Sequence, residues 1–450
     1  KNIWKINIDK INLYRTNFRL HMPGDSMVIN ANFHKAAAQN ASIDLYNKVY
    51  RVDGIAWQGG SLTYDKTFVP RMRHGFDAAH IALNRLNMGV DSLSYDSTGV
   101  SVNVRTANFT EQSGLIVNDL RTRFRLDSTH FYLQPFYLRM PQTELKGSVA
   151  MALNAFSAIN PGQLAVSLNG FVRINDLQPL LSGSVPTRFL HAIPTERIDV
   201  NGSLRGNMRN LILQKLRIGM PQHFALKVNG RISNLQSPRN LSANLALGGS
   251  LRDIRFVKRL LPKSIGSTIK IPTGIDFNAK VRAQGTQYHA DMLLYEGGGN
   301  VAVKADFNKS SQTYNVTARA VNLQLQHFVA KTGLYPFTGM VSVYGRGLDV
   351  LSPKSSLRLK ANITQFRFGN YVLNGINGDI AKRGETTTAH IVSTNPMLGG
   401  DFTYSGKLSA KNVDGHLRGW FRRVDLRQLG VMKDPYVVSA WVDVDVRSDL

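Results

Sequence analysis

The chain has 450 residues, enough for about three ordinary domains or one extended array. Lys and Arg number 55 against 30 Asp and Glu, a formal charge of +25, yet only 19% of residues are charged and 43% are hydrophobic, which excludes a disordered polyelectrolyte. With no cysteine, a disulfide framework, a thiolate metal site and a cysteine nucleophile are excluded, and the redox compartment is left open.

No run approaches the ~18 consecutive apolar residues of a spanning helix, and nothing resembles a signal peptide. The sequence begins at Lys1 without an initiator Met and stops inside the alternating run from Trp441, so we expect a slice of a longer protein with any anchor outside it. In chain order, strict alternation appears in VSVNVR from Val100, FALKVNGRI from Phe224, IDFNAKV from Ile275, VAVKADF from Val301, LRLKANI from Leu357 and WVDVDV from Trp441. Each reads as a strand with one apolar and one solvated face. Buried parallel strands would instead be apolar throughout and alternate with long helices. Leu357, Leu359, Ala361 and Ile363 hold one phase and Phe366 and Phe368 the other, which predicts a bulge near Gln365. Short helices are predicted at Asp176 (DLQPLL), Pro186 (PTRFLHAI), Asp253 (DIRFVKRLL) and Leu325 (LQHFVAKTG). At one strand per ~13 residues, turns included, roughly 35 strands are expected.

A degenerate repeat underlies this order. Met-Pro-Gln stands at Met140 and again at Met220, an offset of 220 − 140 = 80, and Asp followed by an apolar turn at Asp176 and Asp253, an offset of 253 − 176 = 77. Looser copies follow at Gly297 with Val321, and at Asn395 with Val424. We therefore expect one continuous β-groove over 1–450, with a strand-rich segment at 1–140 and approximate units at 141–220, 221–296, 297–395 and 396–450, the last truncated. The fold class expected is mostly β: an elongated repeating groove of many amphipathic strands with a few short helices.

Catalytic and metal patterns are lacking. The eleven His are scattered without metal-ligand spacing. Gly345-Arg346-Gly347 has Val350 where a dinucleotide fingerprint needs glycine, and Gly406-Lys407 is followed by Leu408 where a phosphate loop needs Ser or Thr. Asp443 and Asp445 share a strand face but have no further oxygen ligands, and Arg447 continues that face. We expect no enzyme, no cofactor and no metal. Cations are dispersed along polar faces, with local concentrations at Arg121 and Arg418, which favours anionic lipid surfaces over nucleic acid.

A sheet of amphipathic strands must hide its apolar face, as a sandwich, a barrel or a curled trough. With no domain boundaries in sight, we read a greasy trough for acyl chains, lined by Val100, Val102, Val104, Phe224, Leu226, Val228, Ile275, Phe277, Val301, Val303, Phe307, Leu357, Leu359, Ile363, Val442, Val444 and Val446. A dry core contact is the alternative for each.

The order Met-Pro-Gln, strand, Gly, then DLQPLL, then FRFGNYVLNGINGDI from Phe366, with the earlier IALNRLNMGVDSLSYDSTGVSVNV and FTEQSGLIVNDLRTRFRLD, resembles the central repetitive region of TamB and AsmA-like proteins in the Bacteroidota style. TamB is the inner-membrane subunit of the translocation and assembly module. The resemblance covers essentially the whole chain, on loose Gly and Asp-Leu punctuation. It implies a periplasm-spanning β-taco, anchored in the inner membrane by an N-terminal helix. Its function would be phospholipid transport to the outer membrane and support of outer-membrane protein assembly and secretion. It also implies an Omp85-type barrel as partner, through a region outside this slice. The anchoring helix and the C-terminal signature domain are missing here. The alternatives are a β-solenoid adhesin or stalk, and a chaperone-like scaffold offering a rim strand by β-augmentation to outer-membrane proteins.

Overall fold

Alternating strands joined by short connections pair with their sequence neighbours, and in the computed structural model each long strand runs antiparallel to the one before it within its unit. The structure describes residues 4–22, 26–182, 190, 193–237, 239–253, 255–256, 272–328, 333–349, 352–408 and 412–449. The chain divides into two units, Lys1–Gln236 and Ser237–Leu450.

The first unit contains β1 (Lys5–Met22), β2 (Met27–Asp44), β3 (Val49–Lys66), β4 (His80–Asp96), β5 (Gly99–Glu111), β6 (Ile116–Val117), β7 (Asp119–Leu126), β8 (His130–Arg139), β9 (Glu144–Ala152), β10 (Leu164–Arg173), the helix α1 (Ile174–Leu181), β11 (Arg197–Asn207), β12 (Asn210–Met220) and β13 (Phe224–Ser233). The second contains β14 (Ser242–Leu251), β15 (Ile275–Gln284), β16 (Gln287–Glu296), β17 (Gly299–Asn308), β18 (Thr313–Gln324), a 3-10 turn (Leu325–His327), β19 (Leu334–Arg346), β20 (Ser356–Phe368), β21 (Tyr371–Val372), β22 (Ile376–Arg383), β23 (Thr386–Thr394), β24 (Leu398–Leu408), β25 (Asn412–Asp425) and β26 (Val437–Asp449). The two-residue β6 and β21 are side pairings on β5 and β20. Each unit is thus an open antiparallel meander, and the fold is mostly β.

The 26 strands among the described residues are longer than the turn spacing predicted, because phase changes inside a strand do not end it. β1, β2 and β3 each run 18 residues. Their apolar phase flips at left-handed residues, Arg15 (φ 46°), Asn40 (φ 49°) and Gly59 (φ 68°), and the kinks pass from strand to strand. Leu13, Ala36, Trp57 and Met88 face one another on one side of a kink, and Phe18, Ala31, Leu62 and Leu83 on the other. The bulge predicted near Gln365 is present: Thr338 pairs with Gln365 and Gly339 with Ile363, leaving Thr364 unpaired.

Of the predicted helices, the one at Asp176 forms as α1, and the one at Leu325 begins as the 3-10 turn, with its residues 329–332 outside the described residues. Those at Pro186 and Asp253 lie largely outside the described residues. In a meander the connections alternate between two ends of the strands, so α1 shares an end with the Met140 and Met220 turns. Gln142 of the first turn donates its backbone N–H to Asp176 Oδ2 of α1 at 2.7 Å, joining the two markers of the repeat. At this end Phe76, in the β3–β4 connection, donates its N–H to Pro179 O of α1 at 2.8 Å, across the ends of β5, β7, β8 and β9. In the second unit the connections after β14, β18 and β25 likewise share one end.

Packing is thin. The buried apolar clusters are small: Ala155, Leu164, Met208 and Leu211; Ala31, Trp57 and Leu86; and Val301, Ala320 and Leu323. The chain exposes 27812 Å². Two separate compact bodies of half its mass would expose only about 20,000 Å² in total.

Candidate functional site

Residues directly opposite in an antiparallel pair lie on the same face, so the registers trace the faces across each unit. In the second unit one row runs Leu245, Val281, Ala290, Ala305, Val316, Val343, Leu359, Ile380, Ala389, Tyr404, Leu417 and Val444. The parallel row runs Leu247, Ala279, Met292, Val303, Ala318, Val341, Ala361, Gly378, Ile391, Phe402, Gly419 and Val442. Neither row holds a charged residue over twelve strands, a span of about 50 Å at ~4.8 Å per strand. In the first unit Val52, Leu93, Val102, Phe124, Leu133, Val149, Val166, Leu204 and Leu213 make an equivalent row.

These rows carry the residues expected to line a trough. Val100, Val102 and Val104 face Tyr95, Leu93 and Val90, and Phe224, Leu226 and Val228 face Met220, Ile218 and Leu216. Ile275 and Phe277 face Glu296 and Leu294. Val301, Val303 and Phe307 face Ala320, Ala318 and Tyr314. Leu357, Leu359 and Ile363 face Gly345, Val343 and Gly339, and Val442, Val444 and Val446 face Gly419, Leu417 and Gly415. Registers place the last eleven of the seventeen on one face of the second unit and the first six on one face of the first. Ile275 and Val301 are buried, Val444 on the last described strand is exposed, and the other fourteen are half-buried.

Sequence reading missed the strands between. Met292 and Leu294 belong to the apolar face while Leu293 points to the other, so the run DMLLY hides its phase. Gly378, Ile391 and Phe402 lie on Gly- and Thr-rich strands with weak alternation. Their only signal was the phase of the neighbouring strands.

Among the described residues of the second unit, two charged side chains reach the apolar face at its ends. Lys382, opposite Leu357, is buried, with Nζ donating to Ser352 O (2.9 Å), Ser355 Oγ (3.2 Å) and Gly384 O (2.5 Å). Glu296, opposite Ile275, is buried, with Oε1 2.5 Å from His327 Nδ1. Burial also pushes the Tyr314 and Tyr404 phenols up, as a water-poor surface should.

The opposite face of the second unit sets a polar row beside a mixed one, in which Leu293, Met340, Val392, Trp420 and Trp441 stand among Asn278, Arg319, Asn362, Asn377 and Asp401. The polar row reads Lys280, Asp291, Lys304, Thr317, Ser342, Lys360, Asp379, His390, Thr403, Arg418 and Asp443. Arg358 holds Asp379 with two hydrogen bonds, 3.0 and 2.7 Å, and keeps its carboxyl below the usual range. His289 stands between Asp306 (2.8 Å) and Asp291 (3.0 Å), and His416 between Asp443 (2.8 Å) and Asp445 (3.0 Å). These carboxylates raise the pKa of both imidazoles. Among the described residues no group of three or more His, Asp or Glu could hold a metal ion, and no helix is long and apolar enough to cross a membrane.

Comparison of the chain with protein-family models, with curated proteins and with solved structures finds no match.

Proposed function

We propose that the apolar face of each unit shields phospholipid acyl chains, and that the protein is a non-catalytic lipid conduit of the TamB and AsmA-like kind. The carrying observation is an apolar face continuous from strand to strand, whose side chains are largely half-buried and not buried. A dry core would show most of these side chains buried; a filled solenoid would close over them. An open face of this chemistry gains free energy, at about 25 cal/mol per Å² of apolar surface, when a hydrocarbon chain lies on it. The polar face keeps the conduit in water.

The resemblance extends this reading to a protein anchored in the inner membrane of a Gram-negative, Bacteroidota-type cell and crossing the periplasm. In that setting the conduit supplies phospholipid to the outer membrane and supports protein assembly and secretion there, with an Omp85-type barrel as partner beyond this chain. Organic extraction and mass spectrometry of the gently purified chain test the central step. Co-purifying phospholipid, displaced by a fluorescent phospholipid from vesicles, is the expected result. A lipid-free chain that takes up none would overturn the proposal.

A further inference from the structure

The polar face of the second unit also exposes large apolar side chains, among them Met340, Tyr344 and a tryptophan pair. Trp420 on β25 and Trp441 on β26 stand directly opposite each other on that face, 46% and 55% exposed. Trp420 owes its exposure to no missing neighbour, since β25 is paired on both sides, with β24 and β26. The Arg418 guanidinium lies 5.3 Å from the Trp441 ring centroid. Beside the pair, the β25–β26 connection and the start of β26 expose Val431, Met432, Tyr436 and Val437. Arg422, Arg423, Arg427 and Lys433 lie in the same stretch, all exposed, and Asp425, one of its two acids, is buried and accepts hydrogen bonds from Gln428.

Exposed indoles, neighbouring aliphatics and a surplus of cations are what a bilayer interface binds: aromatic rings settle at the headgroup level, aliphatics reach the acyl boundary, and Arg and Lys meet anionic phosphates. We infer that this corner of the second unit, around Trp420 and Trp441, docks on the surface of a membrane containing anionic phospholipid. Single-stranded nucleic acid would also stack on Trp beside Arg, but it has no use for exposed Val431, Met432 and Val437. The inference stands apart from the acyl-chain reading, which concerns the opposite face.

The test is co-sedimentation of the full chain with phosphatidylcholine vesicles, with and without about one quarter phosphatidylglycerol. The chain should pellet with the anionic vesicles and bind the neutral ones about tenfold less. Trp420→Ser with Trp441→Ser, and separately Arg422→Gln with Arg427→Gln, should each lower anionic binding about tenfold while leaving phospholipid retention by the apolar face unchanged. A second measurement needs neither variant: in a Trp4→Phe background, where Trp57 is buried, lipids brominated on the acyl chain should quench the fluorescence of Trp420 and Trp441. Equal binding to both vesicle types, bound chain without quenching, or binding to a single-stranded oligonucleotide that keeps the chain off vesicles would each overturn the inference.

Discussion

His289 stands between carboxylates on its own strand and on the next and donates to both when protonated, and this clamp has a definite pH window. Its pKa is raised first by the hydrogen bond to Asp306, then by that to Asp291. The contribution is therefore fully present below the ordinary histidine value of 6.5 and is lost as pH rises through the higher folded value. Asp291, lowered by His289 from 3.8, contributes above that value and loses its contribution as pH falls through its lower folded value. The ring is 33% exposed, so solvent screening keeps the effect on stability small. NMR titration should show the His289 imidazole protonating above 6.5 and returning toward 6.5 in Asp306→Asn; a wild-type ring titrating at or below 6.5 would contradict the clamp. On the apolar face, packing decides. Leu86, 2% exposed in the Trp57 cluster, should cost about 2–5 kcal/mol on replacement by Ala, whereas half-buried Val303→Ala should cost about 1 kcal/mol or less. Urea melts giving equal losses would mean the face is a packed core. Val444→Asp, on a face water can reach, should leave far-UV circular dichroism near native and lower lipid transfer, with Asp443→Val silent; an unfolded Val444→Asp would remove this strand from the conduit.

At the scale of elements, the strands legible beforehand were those that alternate without interruption, such as Val301–Phe307 and Leu357–Ile363. The long strands of the first unit were not, because a left-handed residue swaps the apolar phase and reads as the end of a strand. Gly60 shows why backbone geometry decides there: at φ +132° a Cβ would stand 1.9 Å from Asn32 O on the neighbouring strand. Gly60→Ala should therefore destabilise by more than about 1 kcal/mol, through strain and a broken β2–β3 pairing, read as faster amide exchange in β2 and β3. Unchanged exchange would mean that the kink is not held by this glycine. The repeat was visible as Met-Pro-Gln and Asp176, but the sequence held no sign that one marker donates a backbone hydrogen bond to the other. The apolar-face residues on β16 and β22–β24 were hidden for a related reason, since small residues and mixed phases there satisfy the face only in register with stronger neighbours.

Within each unit the described strands make their contacts with adjacent strands, the nearest-neighbour arrangement of repeat arrays. Charge is spread in the same even way: residues 1–236 carry 27 − 15 = +12 and residues 237–450 carry 28 − 15 = +13. Each unit holds its own meander and its own buried clusters. Expressed separately, residues 1–236 and 237–450 should each show β-type circular dichroism and a cooperative melt; a fragment that folds only with the other would show that the units are interdependent. The central claim is that hydrocarbon lies on one face and water on the other. Placing a photo-crosslinking amino acid at Val303 or at Lys304, adjacent residues on opposite faces of β17, and irradiating cells tests it most directly. The account predicts phospholipid adducts at Val303 and none at Lys304; adducts at neither position, or equally at both, would contradict it.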